Sequence, residues 1–564
     1  MPLTILTKER LEELNVYGVR MARKWKNYFS LEGLLPGIVP TNEQKQMVQS
    51  SEKQLIIRGS AGSGKSLMLA YRLIKTMEQS EKPQRILYVT FNETLIQDTC
   101  KRLNQSEKFK QLRDKHEIVI QTYHDVATDI LKKHCGYHDI QPFKATKRKI
   151  EEHESFIVTK VDNVLGRFKN SDEYEQYERL YSTHTPRFLM EEFFWMKGNG
   201  LITKDAYLKK ERTGRGRSPS VTRKQRETIF RLFELYNEFL RENFKVRQYD
   251  MEDYALLLLN ELNNHPNAPF RFDHIFVDEF QDLQPMQIKS LVKLAKNSIT
   301  LVGDDKQRIY KRTPISYKDL DLRINARTYQ KLTKNFRSTK QIMKLANSLK
   351  FEDVENLRED AENIFKEGKK PYIKHFKTER RMVLEIIDNI KEIHRNDPDK
   401  TIAVVHRYDT KELFREGNLK TFLDQAFDVV GVESFGKRFD YKKKKKPVFF
   451  TNPYEIKGLE FDYVFVIHFD QLHYPLEARL DELKNKYGKN YSTDENYKKD
   501  RRDVLNDEKK VLYVACTRAK KELYLYFVGK DYKNVSRFIR DFDMKDFETN
   551  MRKSDLKRYI YFKT

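Results

Sequence analysis

Residues 59–66 read GSAGSGKS, at the end of the short, largely apolar run LIIRGS (55–60) and directly before a segment of helical period. The spacing G-x-x-x-x-G-K-S between a strand and a helix is that of a loop that wraps phosphates. Glycines let successive backbone amides curl around the anion. The Lys65 ammonium reaches the outer phosphates, the Ser66 hydroxyl is a ligand type for Mg²⁺, and the helix N-terminus adds a favourable field. Gly59, Ser60, Ala61, Gly62, Ser63, Gly64, Lys65 and Ser66 are therefore the candidate nucleotide cradle. ATP and Mg²⁺ are the expected cofactors.

Such a loop needs a parallel sheet behind it, and the flanking pattern supplies one. RILYVTF (85–91), EIVIQTY (117–123), HIFVDE (274–279) and SITLVGD (298–304) are β-branched or aromatic runs separated by helical stretches. Strand–helix alternation of this kind predicts a parallel α/β sheet. From about 125 the pattern turns helical, as in SVTRKQRETIFRLFELYNEFLRENF (220–244). A second alternating block opens with PYIKHF near 371 and runs through TIAVVHR, VFFTN, YVFVIHF and LYLYF. The expected organisation is a helical N-terminal extension (1–39), a first α/β domain in two parts (40–124 and 265–345) split by a helical insertion (125–264), and a second α/β domain (346–564). Within the last, 408–447 reads as a connector and 474–510 as a polar surface insert.

Four further elements carry chemistry. In VDEFQDLQP (277–285) a strand delivers Asp278 and Glu279 at its C-terminal end, the first suited to a metal and the second to polarising water. In LVGDDKQRIY (301–310) Gln307 is placed to sense a terminal phosphate. Arg337 in KNFRS and Arg518 in LYVACTRAK are always charged and fork in a plane, the type suited to that phosphate. Arg518 lies in the second block, so a site using both arginines sits between two domains.

The balance of 108 Lys+Arg against 84 Asp+Glu, a net +24, points to a polyanionic partner. Phe91, Tyr123 and Tyr310 end strands or motif loops and are candidate nucleic-acid contacts. The stretch 209–226 reads as a basic loop in the insertion, and Lys442–Lys446 form a run of five lysines. Three well-separated cysteines imply no disulfide framework, and HCGYH (134–138) is too small a ligand set for a metal centre. No apolar run is long enough to span a bilayer. A cytoplasmic protein with no membrane contact is expected.

Taken together, these motifs resemble those of superfamily 1 DNA helicases of the UvrD/Rep/PcrA type, in the family's order from Gln44 to Arg518. TNEQ (41–44) is similar to the Q motif, implying that Gln44 reads adenine. YVTFN (88–92) and TYHD (122–125) resemble motifs Ia and Ib, which adds Asn92 and His124 to the nucleic-acid candidates. LTKNFRS (332–338) resembles motif IV, implying that Phe336 stacks on adenine. IKGLEF (456–461) resembles motif V, implying that Glu460 contacts the ribose. YVACTRA (513–519) resembles motif VI, with Arg518 as the arginine finger. The resemblance implies two RecA-like parallel-sheet domains with a helical insertion in the first. It also implies ATP-driven 3′→5′ movement on single-stranded or tailed DNA.

Three departures stand out. Lys311, Arg312 and Thr313 replace the aromatic-bearing triplet that follows motif III, leaving the Arg312 plane to stack on a base. Tyr454 stands at a histidine position of motif V and is kept as a candidate contact. Relatives insert a whole domain, 2B, where this chain has only 408–447. That gap motivates a second reading: an ATP-gated sensor or motor subunit, acting with a protein partner such as a nuclease and unwinding little alone.

Overall fold

The structure is a computed structural model. It describes residues 35, 40–91, 93–143, 147–181, 184–210, 221–242, 244, 247–308, 317–332, 338–352, 366–408, 418–434, 445–487 and 491–557. The N-terminal extension lies outside these residues except for Leu35.

The first sheet has six parallel strands: β1 (Gln54–Gly59), β2 (Arg85–Thr90), β3 (Glu117–Thr122), β4 (Phe272–Val277), β5 (Ala295–Gly303) and β6 (Tyr329–Leu332). Their spatial order is β3-β2-β4-β5-β1-β6. Both faces are covered, so the strands read as continuous apolar runs rather than alternating ones. The alternation appears in the destination of each side chain. Ile56, Leu87, Val89, Ile275 and Val277 enter one core, with the helices Tyr123–His134, Asp253–Asn264 and Pro285–Leu294. Leu55, Ile57, Ile86, Tyr88 and Phe276 enter the other, against the helix Lys65–Gln79.

The second sheet has seven parallel strands: β7 (Tyr372–Phe376), β8 (Ile402–Val405), β9 (Asp428–Val430), β10 (Pro447–Thr451), β11 (Phe461–Val466), β12 (Ala519–Val528) and β13 (Glu548–Thr549). Their order is β13-β7-β12-β11-β8-β10-β9. Three short strands, β6, β9 and β13, carry too little pattern to be read from sequence. With the helix Leu419–Ala426, β9 builds part of the expected connector into the sheet edge, pairing with β10.

Between β3 and β4 the helices Lys147–Lys169, Pro186–Gly198 and Arg223–Glu242 enclose a core of their own that includes Val161, Phe193, Trp195, Phe233 and Tyr236. The flanking helices Tyr123–His134 and Asp253–Asn264 pack under the first sheet instead, so the helical unit is narrower than 125–264. A buried charge cluster fastens it. Lys197, 1% exposed, lies 2.6 Å from both Asp250 and Asp253, and the Tyr236 hydroxyl donates to Asp250 at 3.0 Å.

The polar insert 474–510 is largely helical. It forms the helix Glu477–Tyr487 and most of the helix Glu495–Cys516, which bury Leu480, Leu483, Tyr497 and Val504 between them. High average polarity conceals a narrow apolar stripe at helical spacing. Glu508 on the long helix is fully buried between Arg407 and Arg479, fixing this helix against the end of β8.

Lys197→Ala removes the cation shared by two buried carboxylates. It is expected to destabilise the protein by about 3–5 kcal/mol, read as a lower denaturant midpoint. An unchanged midpoint would contradict the fastening role of the cluster.

Candidate nucleotide site between the two sheets

The loop after β1 places its backbone through two left-handed glycines, Gly62 at φ 85° and Gly64 at φ 80°. A Cβ on Gly64 would also collide with the Gln44 amide, so only glycine permits this approach. Gln44 and Thr41 cap the helix Asn42–Gln49 reciprocally. The Gln44 Nε2 then donates to the Ser63 carbonyl at 3.0 Å, tying that helix to the loop. Lys65 Nζ donates to the carbonyls of Gly59 and Ser60, each at 2.9 Å. The Ser60 and Ser63 hydroxyls are buried and make no hydrogen bond among the described residues. A concave loop with buried donors to spare is chemically suited to an anion.

Across the sheet, β4 ends in Asp278 and Glu279. Glu279 takes φ 52°, a left-handed conformation that costs a non-glycine residue and is held by its surroundings. The Tyr88 hydroxyl donates to Asp278 at 3.1 Å, and Ser66 also hydrogen-bonds it. Burial, and then the adjacent Glu279 charge, push Asp278 up to about 6. Burial would raise Glu279 too, but Lys457, Lys65, the Gln281 amide and Arg518 together hold it below the usual carboxylate range. The two neighbours are thereby split: Glu279 keeps its charge, and Asp278 is the one that accepts a proton or a cation.

Among the described residues, no cluster of three or more His, Cys, Asp or Glu could hold a metal. Ser66 and Asp278 fit a different design, in which Mg²⁺ takes one or two protein ligands and is completed by phosphate oxygens and water.

From Glu279 a relay of side chains leaves the first sheet. Gln281 donates through its amide to Glu279 and accepts through Oε1 from the Asp304 backbone N–H at 3.0 Å. Gln307 Nε2 donates to Asp304 at 2.7 Å, and Arg518 Nη2 donates to Gln307 Oε1 at 2.8 Å. Arg518 is 1% exposed and is aimed by bonds to the carbonyls of Val514 and Leu459. A second tie runs alongside: Lys457 Nζ meets Asp282 Oδ1 at 2.6 Å and also donates to the Gln307 carbonyl. Gly458, at φ 85°, lets this loop approach so closely that a Cβ would strike Leu95 of the helix Glu93–Asn104.

The structure thus gathers Gln44, residues 59–66, Asp278, Glu279, Gln307 and Arg518 around one cleft. Glu460 lies on the same loop as Lys457, in the field of Arg102 from the first domain. Asn92, Tyr310, Arg312, Phe336 and Arg337 lie outside the described residues.

Three nucleic-acid candidates are corrected. Tyr123 is 1% exposed and bonded to Ser290, and His124 is 5% exposed and packed edge-on against Tyr123, Phe143 and Tyr254. Both start a helix whose apolar face turns into the core, so neither ring is available to a base. Phe91 is likewise in that core at 4% exposure, and Tyr454 is half-buried near the Arg407–Glu508 pair. Sequence reasoning missed Gln281, Asp282, Asp304 and Lys457. Each is a polar residue inside a quoted motif: Gln281 and Asp282 in the turn after β4, Asp304 at the end of β5 and Lys457 beside Gly458.

Two family models match the chain: the UvrD/REP helicase N-terminal domain over residues 40–312, and the UvrD-like helicase C-terminal domain over 330–421 and 440–530. Among similar proteins is the ATP-dependent DNA helicase srs2 of Schizosaccharomyces pombe, 23% identical over 69% of this chain and 43% of its own length. A probable DNA helicase II homolog of Mycoplasma capricolum is 28% identical over 62% of this chain and 46% of its own. The ATP-dependent DNA helicase PcrA of Staphylococcus aureus is 23% identical over 71% and 52%. The chain spans about half the length of these curated relatives. With both family models falling in order on the two sheets and the cleft between them, the chain belongs to the UvrD-like helicases of superfamily 1.

Proposed function

We propose that this chain is an ATP-driven translocase or helicase that moves 3′→5′ on single-stranded or tailed DNA. The observation that carries the reading is the buried relay from Glu279 to Arg518, which joins a water-activating carboxylate on one domain to a phosphate-binding cation on the other. The phosphates of ATP lie in the loop 59–66 with Lys65 on the outer ones, and Gln44 stands at the adenine side. Ser66 and Asp278 would hold Mg²⁺, which when bound would neutralise charge on the outer phosphates. Glu279, kept ionised, orients and deprotonates the attacking water. Gln307 and Arg518 oppose charge that develops on the terminal phosphate, with Arg337 and Phe336 proposed on the family pattern. Because the relay spans the cleft, hydrolysis alters the contacts between the domains, and relative domain motion follows. Glu460 is proposed at the ribose. Asn92, Tyr310, Arg312 and the half-buried Tyr454 are the proposed nucleic-acid contacts that remain. The proposed compartment is the cytoplasm; among the described residues no helix is long and apolar enough to cross a membrane.

A second reading is favoured by one observation. Part of the segment where relatives insert domain 2B is folded here into the helix Leu419–Ala426 and the edge strand β9. An ATP-gated sensor acting with a partner such as a nuclease needs the cleft but not that domain. Strand displacement on 3′- and 5′-tailed duplexes separates the two. Displacement of the 3′-tailed duplex alone supports the motor; DNA-stimulated ATP turnover with no displacement supports the sensor.

Lys65→Ala and Glu279→Gln are expected to lower ATP turnover by about 10²-fold or more, with Glu279→Gln still binding ATP in a fluorescent-nucleotide titration. Retained turnover in either variant would refute the assignment. Lys457→Met leaves Asp282 buried without its cation, at a cost of about 3–5 kcal/mol. The double variant with Asp282→Asn should recover part of that loss in denaturant melts. Binding to single-stranded oligonucleotides should weaken linearly in log–log plots against salt as counterions are released; a flat response would contradict backbone tracking.

A further inference from the structure

Arg58 is the last side chain of β1 before the phosphate loop, and it is a charge where the strand otherwise carries apolar residues. Leu55, Ile56 and Ile57 are at most 1% exposed, and Arg58 only 8%. Burying an uncompensated guanidinium costs several kcal/mol, so its partners identify what the residue is for. Its Nη1 lies 3.0 Å from Asp305 Oδ1. Its guanidinium carbon stands 4.2 Å from the centre of the Phe280 ring, within cation–π range. Its Nη2 donates to the Tyr317 hydroxyl.

These three partners sit on three separate segments. Phe280 directly follows Glu279. Asp305 lies between Asp304 and Gln307, both members of the relay. Tyr317 opens the chain after 309–316, the stretch that contains Tyr310 and Arg312. Arg58 therefore grips both flanks of that stretch and the residue next to the proposed base. The tie is also adjustable. The Asp305 side chain is 38% exposed, and the buried Arg58 Nε makes no hydrogen bond among the described residues. A guanidinium with a spare donor and a water-facing partner can shift its contacts without opening the core.

We propose that Arg58 is a positioning residue that couples nucleic-acid binding to ATP turnover. Through Asp305 and Tyr317 it ties the end of β1 to the loop that carries Gln307 and to the chain beyond motif III, a link that acts when nucleic acid binds, while the relay from Glu279 to Arg518 holds the resting site by itself. This role rests on the motor reading above.

Arg58→Met keeps a long side chain over Phe280 and removes the charge. Basal ATP turnover and the KM for ATP should stay within about twofold, while stimulation by a single-stranded oligonucleotide falls about tenfold. Arg58→Lys should recover part of the stimulation. Asp305→Asn should reproduce the loss, with no further loss in the double variant, and it carries the test if Arg58→Met does not fold. Full stimulation in folded Arg58→Met or Asp305→Asn overturns the proposal. So does a parallel fall of basal and stimulated turnover, which marks general structural support. A wild-type protein that no nucleic acid stimulates defeats the motor reading and this role together, whereas failure confined to the variants leaves the motor reading standing.

Discussion

The buried ion pair between Lys457 and Asp282 is the contact on which the rest of the cleft depends. It is 2.6 Å long, with both side chains at most 2% exposed, and its two ends belong to different sheets. Such a pair adds little net stability, because desolvation of both charges offsets their attraction. Its effect is on geometry. Each partner is costly to leave alone, so an arrangement that separates them must find water or another charge for both. The pair thereby favours the closed cleft in which Arg518 meets Gln307 and Glu279 stays ionised. Lys457 serves both ends of that logic: it pairs with Asp282 and is the foremost charge lowering Glu279.

The asymmetry of Asp278 and Glu279 follows from the same geometry. They are adjacent in sequence, equally deprived of water and chemically alike. Their environments differ because the Glu279 carboxylate meets the Gln281 amide and the cations at the cleft, Lys457 foremost. Asp278 is left with the hydroxyls of Tyr88 and Ser66 and a like-charged neighbour. One strand end thus presents a carboxylate that keeps its charge and another that accepts a cation. A domain motion that withdraws Lys457 and Arg518 would weaken the first without touching the second. That dependence is a physical route from the position of the second domain to the charge on Glu279, the proposed base.

Much of the cleft was legible because its chemistry is written locally. A phosphate loop needs glycines and a lysine at fixed spacing, and a strand end needs its carboxylates in sequence. Gly59–Ser66, Asp278, Glu279, Gln307 and Arg518 were readable on those terms. Gln281, Asp304 and Lys457 were not: Gln281 and Asp304 meet only because two neighbouring strand ends bring their loops together, and Lys457 is defined by a partner far along the chain. Lys457 and Asp282 are 175 residues apart, and Arg518 and Gln307 are 211. The aromatics failed for a related reason. A ring at a strand end reads alike whether it faces solvent or core, and the helix that begins at Tyr123 turns both Tyr123 and His124 inward. In 474–510, average polarity masked helices whose narrow apolar stripes close a small core.

The lysines preceding β10 show how far structure can account for a charge run without a ligand. The last two, Lys445 and Lys446, are described. Lys446 accepts the Asp428 N–H through its carbonyl at 2.9 Å, and Lys445 donates through Nζ to the Asp424 carbonyl. The first secures β9, a three-residue strand at the edge of the second sheet, and the second secures the helix Leu419–Ala426 that leads into it. An exposed edge offers unpaired backbone groups to any other strand, and natural sheets blunt such edges with short strands and lysines. Shortness and positive charge coincide at this edge. A chain that folds this junction into its own sheet acquires an edge to protect, and a basic run beside it meets that need whether or not DNA passes nearby.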